Sequence, residues 1–539
     1  YIDITTRMQI ELRYLKIEDI PTIFEKLQNA GLTTYQTGTH NFRNIVADSL
    51  DEIALDNIIP TNSIMQKISN LFIEKNEWIG SLPRKFNIGI LGSVSNRCNI
   101  YGQDCAFVLA QKNGIFGFNV YLGGKVGEVA KYADVFLTIY EIEIFTLSLA
   151  NIFKKYGFRD NRNKNRLFYF IQEIGMENLI SEIKKDANYN FQSGGITYVN
   201  MEQFDPAFGK IILKDGSFAV HFITPAGIFS GSDMIECENL CEKYGGFGLR
   251  LTTEQKFYIA GIKKENINEL LSEKIFLKYK NSSSPYFNNI VACAGTEHCS
   301  YGVIPNKPDA IEMAEYLSQK IPLDDGKIRL YWSGCPKGCG THGIGDIGFE
   351  GCKAKENGES VYGVNIFLGG KITNEGKEAK QLLKSISLAS AKPIVKELVE
   401  VYKNLKRKNE SFEAFESRVF SKYSTGAIGF LMKYNYLCEK KSINFKLELS
   451  QEPESAKNES FEIFSFGEQL YKKITGVKPY DSIKDFRPSI NQKPSLPSKI
   501  TSSFPKELDE IILKMIHPAK EKAYQVFSEL IFDLESVNG

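Results

Sequence analysis

Apolar and polar residues alternate through SFAVHFITPAGIF (217–229), the period-two pattern of a strand with one buried face. In MIECENLCEKYG (234–245) the apolar positions recur every three or four residues, which predicts a helix. KFNIGILG (85–92) and KIRLYWSG (327–334) are short apolar runs ending in glycine and read as buried strands that enter turns. Further on, QEPESAKNES (451–460) is polar and linker-like, and RPSINQKPSLPSKITSSFP (487–505) is Pro/Ser-rich and predicted to be extended. KELDEIILKMIHPAKEKAYQVFSELIFDL (506–534) carries an amphipathic helical pattern, broken or kinked at Pro518. Strands and helices mixed in this way predict an α+β fold.

The pattern repeats. ITTRMQI (4–10) answers LTTEQKF (251–257), NFRNIVAD (41–48) answers YFNNIVAC (286–293), and GFNVYLGGKV (117–126) answers GVNIFLGGKI (363–372), at offsets of about 245 residues. That period is too long for a solenoid. It predicts two copies of one module facing each other across a pseudo-twofold axis, with a cleft between them suited to a cofactor. The second copy has a strand and a helix (216–250) ahead of its LTTEQ, whereas only Tyr1–Asp3 stand ahead of ITTRM. Several tens of further residues, with room for a targeting signal, are therefore expected upstream. Beyond about residue 425 the repeat ends, and the remainder reads as a tail packed on its own core, with a partner-docking arm as the alternative.

Composition narrows the function. The 539 residues are 42% hydrophobic and 24% charged, ordinary for a globular chain, and the formal charge of +1 gives no bulk attraction to nucleic acid or an anionic membrane. No apolar run reaches the length of a membrane span. Ten cysteines are too few for a disulfide scaffold, which points to a reducing, cytoplasmic compartment. No Cys-x-x-Cys-His is present, so covalently attached c-type haem is excluded, and no Gly-rich dinucleotide fingerprint is present either.

Four cysteines lie in two turns of small residues: Cys293 and Cys299 in VACAGTEHCSYG (291–302), Cys335 and Cys339 in SGCPKGCGTHG (333–343). Their x5 and x3 spacings fit zinc poorly and an iron–sulfur cluster better, though spacing alone leaves both open. By the repeat, Cys293 faces Asp48, while Cys335 and Cys339 face Ser93 and Arg97. Conversely Arg7 faces Glu254 and Arg43 faces Asn288. One copy carries thiols and the other cations, as expected for a redox centre beside an anion pocket. Cys237 and Cys241 read as buried core thiols; Cys98, Cys105, Cys352 and Cys438 carry little or no signal.

TTR, FRN, LPRKFN, FRDNRNKNR, CAGTEHC, GCPKGCG with DIGFEGC, and both GG turns together resemble the sirohaem and [4Fe–4S] nitrite/sulfite reductases, over residues 1 to about 425. The resemblance implies two repeats, each a ferredoxin-like half-domain and a sirohaem-binding α+β domain (1–78, 79–208, 209–284, 285–425), with a C-terminal extension (426–539). It implies that Cys293, Cys299, Cys335 and Cys339 hold the cluster and that Cys339 also ligates the sirohaem iron. Arg84, Arg159, Arg162, Lys164 and Arg166 are then expected to bind the eight sirohaem carboxylates. Arg7, Arg43, Lys85 and Asn87 are expected to bind the anion, with Lys85 as proton donor.

Asn87 stands where sulfite reductases of the family tend to place a second lysine. A less positive pocket suits monoanionic nitrite, so reduction of nitrite to ammonium is the leading expectation and sulfite reduction the alternative. Met8 departs from the family's usual glutamine, and a non-catalytic cofactor-binding or assembly subunit is the reading from a different class. Electrons are expected from an external donor such as ferredoxin.

Overall fold

The computed structural model describes residues 1–199, 210–279, 284–371, 376–451, 458–480 and 494–537. Strand β1 (Ile2–Ile4) and strand β2 (Ile10–Leu12) form a hairpin. The first large sheet orders β3 (Ile88–Leu91), β4 (Cys105–Lys112), β5 (Ile115–Leu122) and β6 (Lys131–Leu137), and β7 (Ile196–Thr197) pairs with β4. A smaller sheet follows, built from β8 (Lys210–Ile212), β9 (Phe218–Phe222), β11 (Gly248–Leu251) and β12 (Phe257–Ile262), in the order β11-β12-β9-β8. Strand β10 (Ile228–Phe229) leaves that sheet and pairs instead with β1. The second large sheet runs β13 (Ile290–Ala292), β14 (Leu330–Ser333), β15 (Ile347–Glu356), β16 (Glu359–Leu368) and β17 (Lys380–Ser387).

The repeat holds at the level of individual strand pairs. In the hairpins Ile2 pairs with Leu12 and Leu249 with Ile259, an offset of 247 residues kept by both partners. In the large sheets Ile88 pairs parallel with Cys105 and Leu330 parallel with Ile347, an offset of 242. Val46 bridges Gly89 as Val291 pairs with Tyr331. A one-residue slip would turn every buried side chain to the other face, so a register kept in both copies reflects the same core pattern in both. Each parallel pair is buried on both faces, which accounts for the uninterrupted apolar runs at 88–91 and 330–333.

The alternating stretch 217–229 is two strands, β9 and β10, with a turn at Pro225–Gly227 between them; the helical pattern at 234–245 is the helix Gly231–Lys243. The C-terminal pattern, expected to be a helix broken or kinked at Pro518, is broken there into two helices, Asp509–Met515 and Phe527–Ser536, with eleven residues between them. Pro518 and the short turn Lys520–Lys522 fill that gap. Parts of the linker-like stretches, residues 452–457 and 481–493, lie outside the described residues. The tail packs on its own core: Phe430, Phe466, Phe527 and Leu530 belong to the same apolar cluster as Trp332 and Phe349, whose rings stack at 4.0 Å.

Candidate active site

The four cysteines sit where parallel strands end. Cys293 follows β13 and Cys335 follows β14, so the sheet brings two chain-distant turns together. The Cys293 N–H donates to the Trp332 carbonyl (3.2 Å), and its sulfur accepts from the Gly334 N–H (3.2 Å) and from Asn306 Nδ2 (3.4 Å). The turns close against backbone. A Cβ on Gly340 would sit 1.7 Å from the Trp332 oxygen, and one on Gly295, at φ +71°, 1.8 Å from the Pro305 oxygen.

Burial, with Cys339 and Cys335 adding to it, pushes the Cys293 thiol up to about 11. Cys335 is raised by burial and then by Cys339 and Cys299. The thiols thus feel one another, and Cys293 and Cys335 resist ionising without a positive centre between them. Among the described residues no group of three or more His, Cys, Asp or Glu side chains converges as ligands of a single metal ion do.

The cations come from the other copy. Thr6 Oγ1 donates to the Cys339 carbonyl (3.1 Å), which seats the TTR turn on the cysteine loop. Lys85 is lowered by burial; Cys339 opposes the shift, and Arg166 and Arg43 add to it. Arg7 is pushed down to about 10 by burial, with Arg43 and Arg166 adding to the effect and Asp104 opposing it. One basin therefore holds Arg7, Arg43, Lys85 and Arg166 beside the Cys339 sulfur. Arg43 is braced by the carbonyls of Thr37 (2.6 Å), Gly38 (2.8 Å) and Thr39 (2.9 Å), and Arg7 donates to Gln103 Oε1 (3.1 Å) and the Asn44 carbonyl.

Among the described residues, Arg7 Nε, Asn87 Oδ1 and His40 Nδ1 are buried without a hydrogen-bond partner. Orphaned buried polar atoms cost about 1–3 kcal/mol each unless a ligand or water satisfies them. Crowded like charges, with Arg7 Nε an unmet donor among them, are the chemistry a polycarboxylate and a small anion require, so these residues fit sirohaem and its substrate.

The remaining expected residues divide. Arg84 is lowered by burial and by Arg162 and Arg166, so all three share the basin. Arg159 is exposed and tied to the Gly157 (3.0 Å), Ser81 (2.9 Å) and Lys154 (2.8 Å) carbonyls. Lys164 is exposed, and among the described residues no contact joins it to the basin.

Two members escaped the sequence reading. Asp104, almost wholly buried, takes Arg166 in a bidentate pair (3.0 and 2.7 Å) and accepts the Asn87 N–H (2.9 Å). Its repeat mate Asp346 pairs with Arg329 (2.6 Å), and aligning QDCAF (103–107) on GDIGF (345–349) exposes it. His40, beside the FRN motif, is lowered by burial and by Arg84, Arg162, Arg43 and Arg159. A single histidine without metal-like spacing gave no signal.

The repeat also shows what replaces the thiols in the first copy. Asp48, Ser93 and Arg97, which face Cys293, Cys335 and Cys339, are bonded to one another. Ser93 Oγ donates to Asp48, and Arg97 grips it through Nε and NH2 at 2.8 Å each and reaches Asp56 at 2.6 Å. An ion pair ties together the loops that thiols occupy in the other copy.

Comparison with known proteins agrees with this architecture. The model described as "Nitrite and sulphite reductase 4Fe-4S domain" matches residues 38–191 and 285–418, one match per copy, and the "Nitrite/Sulfite reductase ferredoxin-like half domain" matches 211–273. The chloroplastic ferredoxin–nitrite reductase of Oryza sativa subsp. japonica is 31% identical over 428 residues, covering 76% of this chain and 71% of the rice protein. The ferredoxin–nitrite reductase of Synechococcus elongatus is 29% identical, covering 74% and 79%. The solved structure of the Mycobacterium tuberculosis NirA protein superposes with a TM-score of 0.71 at 23% identity, over 77% of this chain and 78% of that one, which establishes a shared fold. The matching family models, laid on both copies of the repeat, place this chain in the nitrite and sulphite reductase 4Fe-4S family.

Proposed function

We propose that this chain reduces nitrite to ammonium, using six electrons from a ferredoxin-class donor. The observation that carries the reading is the bond from Thr6 Oγ1 to the Cys339 carbonyl (3.1 Å), which seats the Arg7 turn of one copy on the cysteine loop of the other, where Cys339 also acts on Lys85. In this reading Cys293, Cys299, Cys335 and Cys339 hold the cluster, and Cys339 also ligates the sirohaem iron. Arg84, Arg162 and Arg166 take the sirohaem carboxylates. When bound, the cluster and sirohaem would relay the donor's electrons to the anion. The protein's own groups do the rest.

Arg7 and Arg43 offset the desolvation of the entering anion. Arg43's carbonyl brace and Asp104's grip on Arg166 and the Asn87 N–H fix these groups before the anion arrives, so little reorganisation is needed. Reduction of nitrite to ammonium consumes eight protons, four leaving in the two waters and four staying on nitrogen. Lys85, lowered by burial and neighbouring cations, releases a proton from Nζ more readily than a solvated lysine and is the proposed donor.

Arg159 serves as a scaffold that ties residues 81, 154 and 157 together, and Lys164 as a rim charge met by the sirohaem periphery. The C-terminal extension serves as a buttress of the second copy, because its aromatic residues are part of that copy's core. Ten free cysteines accord with a reducing cytoplasmic compartment, and no helix among the described residues is long and apolar enough to cross a membrane. We keep the division at 78, 208, 284 and 425 as the working domain scheme.

The test is turnover of nitrite and of sulfite by the purified protein with a reduced dye. Ammonium formation, with sulfite the poorer substrate, supports the reading. Sirohaem absorption that nitrite never perturbs would instead identify a non-catalytic cofactor carrier.

A further inference from the structure

At the end of β14 the copy that carries the four cysteines buries a polar array where the other copy buries hydrocarbon. Ser333 pairs in register with Glu350 on β15, and Glu350 with Asn365 on β16, so the three form a row across neighbouring strands. His342, which opens the short turn His342–Ile344, lies against this row. Its Nδ1 is 2.9 Å from Ser333 Oγ and its Nε2 is 3.6 Å from Glu350 Oε2, while Asn365 Nδ2 donates to Glu350 Oε1 (2.9 Å).

At the repeat offset of 242 the mates of Ser333, Glu350 and His342 are Leu91, Val108 and Ile100. Leu91 pairs with Val108 in the same parallel register, and Ile100 opens the matching turn Ile100–Gly102. All three are wholly buried members of one apolar cluster. The fold therefore forms without polar groups at these positions, and burying a serine and a histidine there costs free energy that the first copy avoids.

The array ends on the Cys339 turn, where the Gly340 N–H donates to Ser333 Oγ (3.1 Å). Burial pushes His342 down to about 4, so the ring is neutral near pH 7. With Nε2 toward a carboxylate its proton sits there, and the bare Nδ1 accepts the Ser333 hydroxyl proton. Glu350 thus orients the ring, the ring orients the hydroxyl, and the hydroxyl holds the Gly340 N–H.

The cysteines differ in what their sulfurs accept. The Cys293 sulfur takes the N–H of Gly295, two residues on, and that of Gly334. The Cys335 sulfur takes the N–H of Lys337, again two residues on. After Cys339 that pattern is broken. The Gly340 N–H goes to Ser333, and the Thr341 N–H goes to the Gly338 carbonyl (3.0 Å), with Thr341 at φ +53°, uncommon for a β-branched residue. Among the described residues no backbone N–H reaches the Cys339 sulfur.

We infer that Ser333, oriented by His342 and Glu350, is a positioning residue that withholds the Gly340 N–H from the Cys339 sulfur and keeps that thiolate's lone pairs for iron. The inference rests on the reading that Cys339 is the ligand shared by cluster and sirohaem, the one thiolate with two metals to serve. Hydrogen bonds to a ligand sulfur draw electron density from it and favour the reduced cluster.

The test is a redox titration of the cluster in the holoenzyme, followed by electron paramagnetic resonance. Ser333→Ala should shift the reduced-to-oxidised ratio at a fixed potential at least about tenfold toward reduced, about 59 mV for one electron. Either the freed N–H or water in the hydroxyl's place then donates to the sulfur. His342→Leu should shift the ratio in the same direction, and Ser333→Thr, which keeps the hydroxyl, should return the natural value. A Ser333→Ala enzyme with the natural potential, or one shifted no further than Ser333→Thr, overturns the inference. Should Ser333→Ala take up no iron, His342→Leu decides by the same criterion. A natural protein that holds no cluster overturns the reading of the site itself, which separates the two failures.

Discussion

Replacing Arg97 by leucine tests whether the first copy has exchanged thiols for an ion pair. Asp48 has no exposed side-chain surface and Arg97 only 6%, so solvent screens the pair little. The substitution removes two hydrogen bonds of 2.8 Å to Asp48 and two, of 2.6 and 3.1 Å, to Asp56. Asp56 is partly exposed and regains water at small cost. Asp48 keeps only the Ser93 hydroxyl and the Leu50 N–H (3.0 Å), so its charge is left uncompensated. Breaking one partner of a buried pair costs about 3–5 kcal/mol. The assay is urea unfolding followed by the fluorescence of Trp78, a core residue of the first copy, with iron content measured in parallel. The variant should lose about 3–5 kcal/mol in that transition and keep its iron, because the cysteines lie in the other copy. The double variant Arg97→Leu with Asp48→Leu should recover part of the loss. A loss below about 1 kcal/mol, the range of a solvated surface pair, would refute the reasoning.

Four further outcomes follow. Asp104→Asn should raise the KM for nitrite through loss of the bidentate hold on Arg166, with far-UV circular dichroism unchanged; an unaltered KM removes Asp104 from the site. Asn87→Lys should shift the nitrite-to-sulfite rate ratio toward sulfite, measured with one reduced dye for both anions; an unmoved ratio separates residue 87 from selectivity. Gly340→Val should abolish iron incorporation, since its Cβ would lie 1.7 Å from the Trp332 oxygen; full iron content contradicts the close packing of that turn. Burial pushes the Glu378 carboxyl from 4.5 to about 7, with Glu128 adding and Lys125 opposing. A carboxyl raised on folding stabilises most below its unfolded value and loses that contribution as pH rises through its folded value. The thermal midpoint should therefore fall between about pH 4.5 and 7, and Glu378→Gln should flatten that slope; an identical slope refutes the assignment.

The repeat was legible because glycine turns and apolar strands tolerate few substitutions, so LGGK and NIVA survive in both copies. The cysteines were legible because four of them share two short, Gly-rich turns. Asp104 was not legible: an acid in an expected basic pocket looks wrong until its bidentate pair with Arg166 is seen. The charge run at 159–166 was legible as a group but not in its division of roles, because a run of charges shows neither which side chains point inward nor which, like Arg159, brace carbonyls of their own loop. The break in the C-terminal helix was legible from Pro518, but its width was not, because the amphipathic pattern persists through residues where the backbone turns away.

The central claim is that one cysteine sulfur joins a cluster to a tetrapyrrole iron facing a cationic pocket. Its most direct test is the absorption spectrum of the purified protein, with iron and acid-labile sulfide counted, before and after nitrite is added, for the natural chain and for Cys339→Ser. The account predicts sirohaem bands that nitrite shifts, together with iron and sulfide in the ratio of one cube plus one extra iron, and loss of both signatures in the variant. A colourless protein carrying zinc, or a variant whose spectrum and iron content match the natural chain, would contradict it.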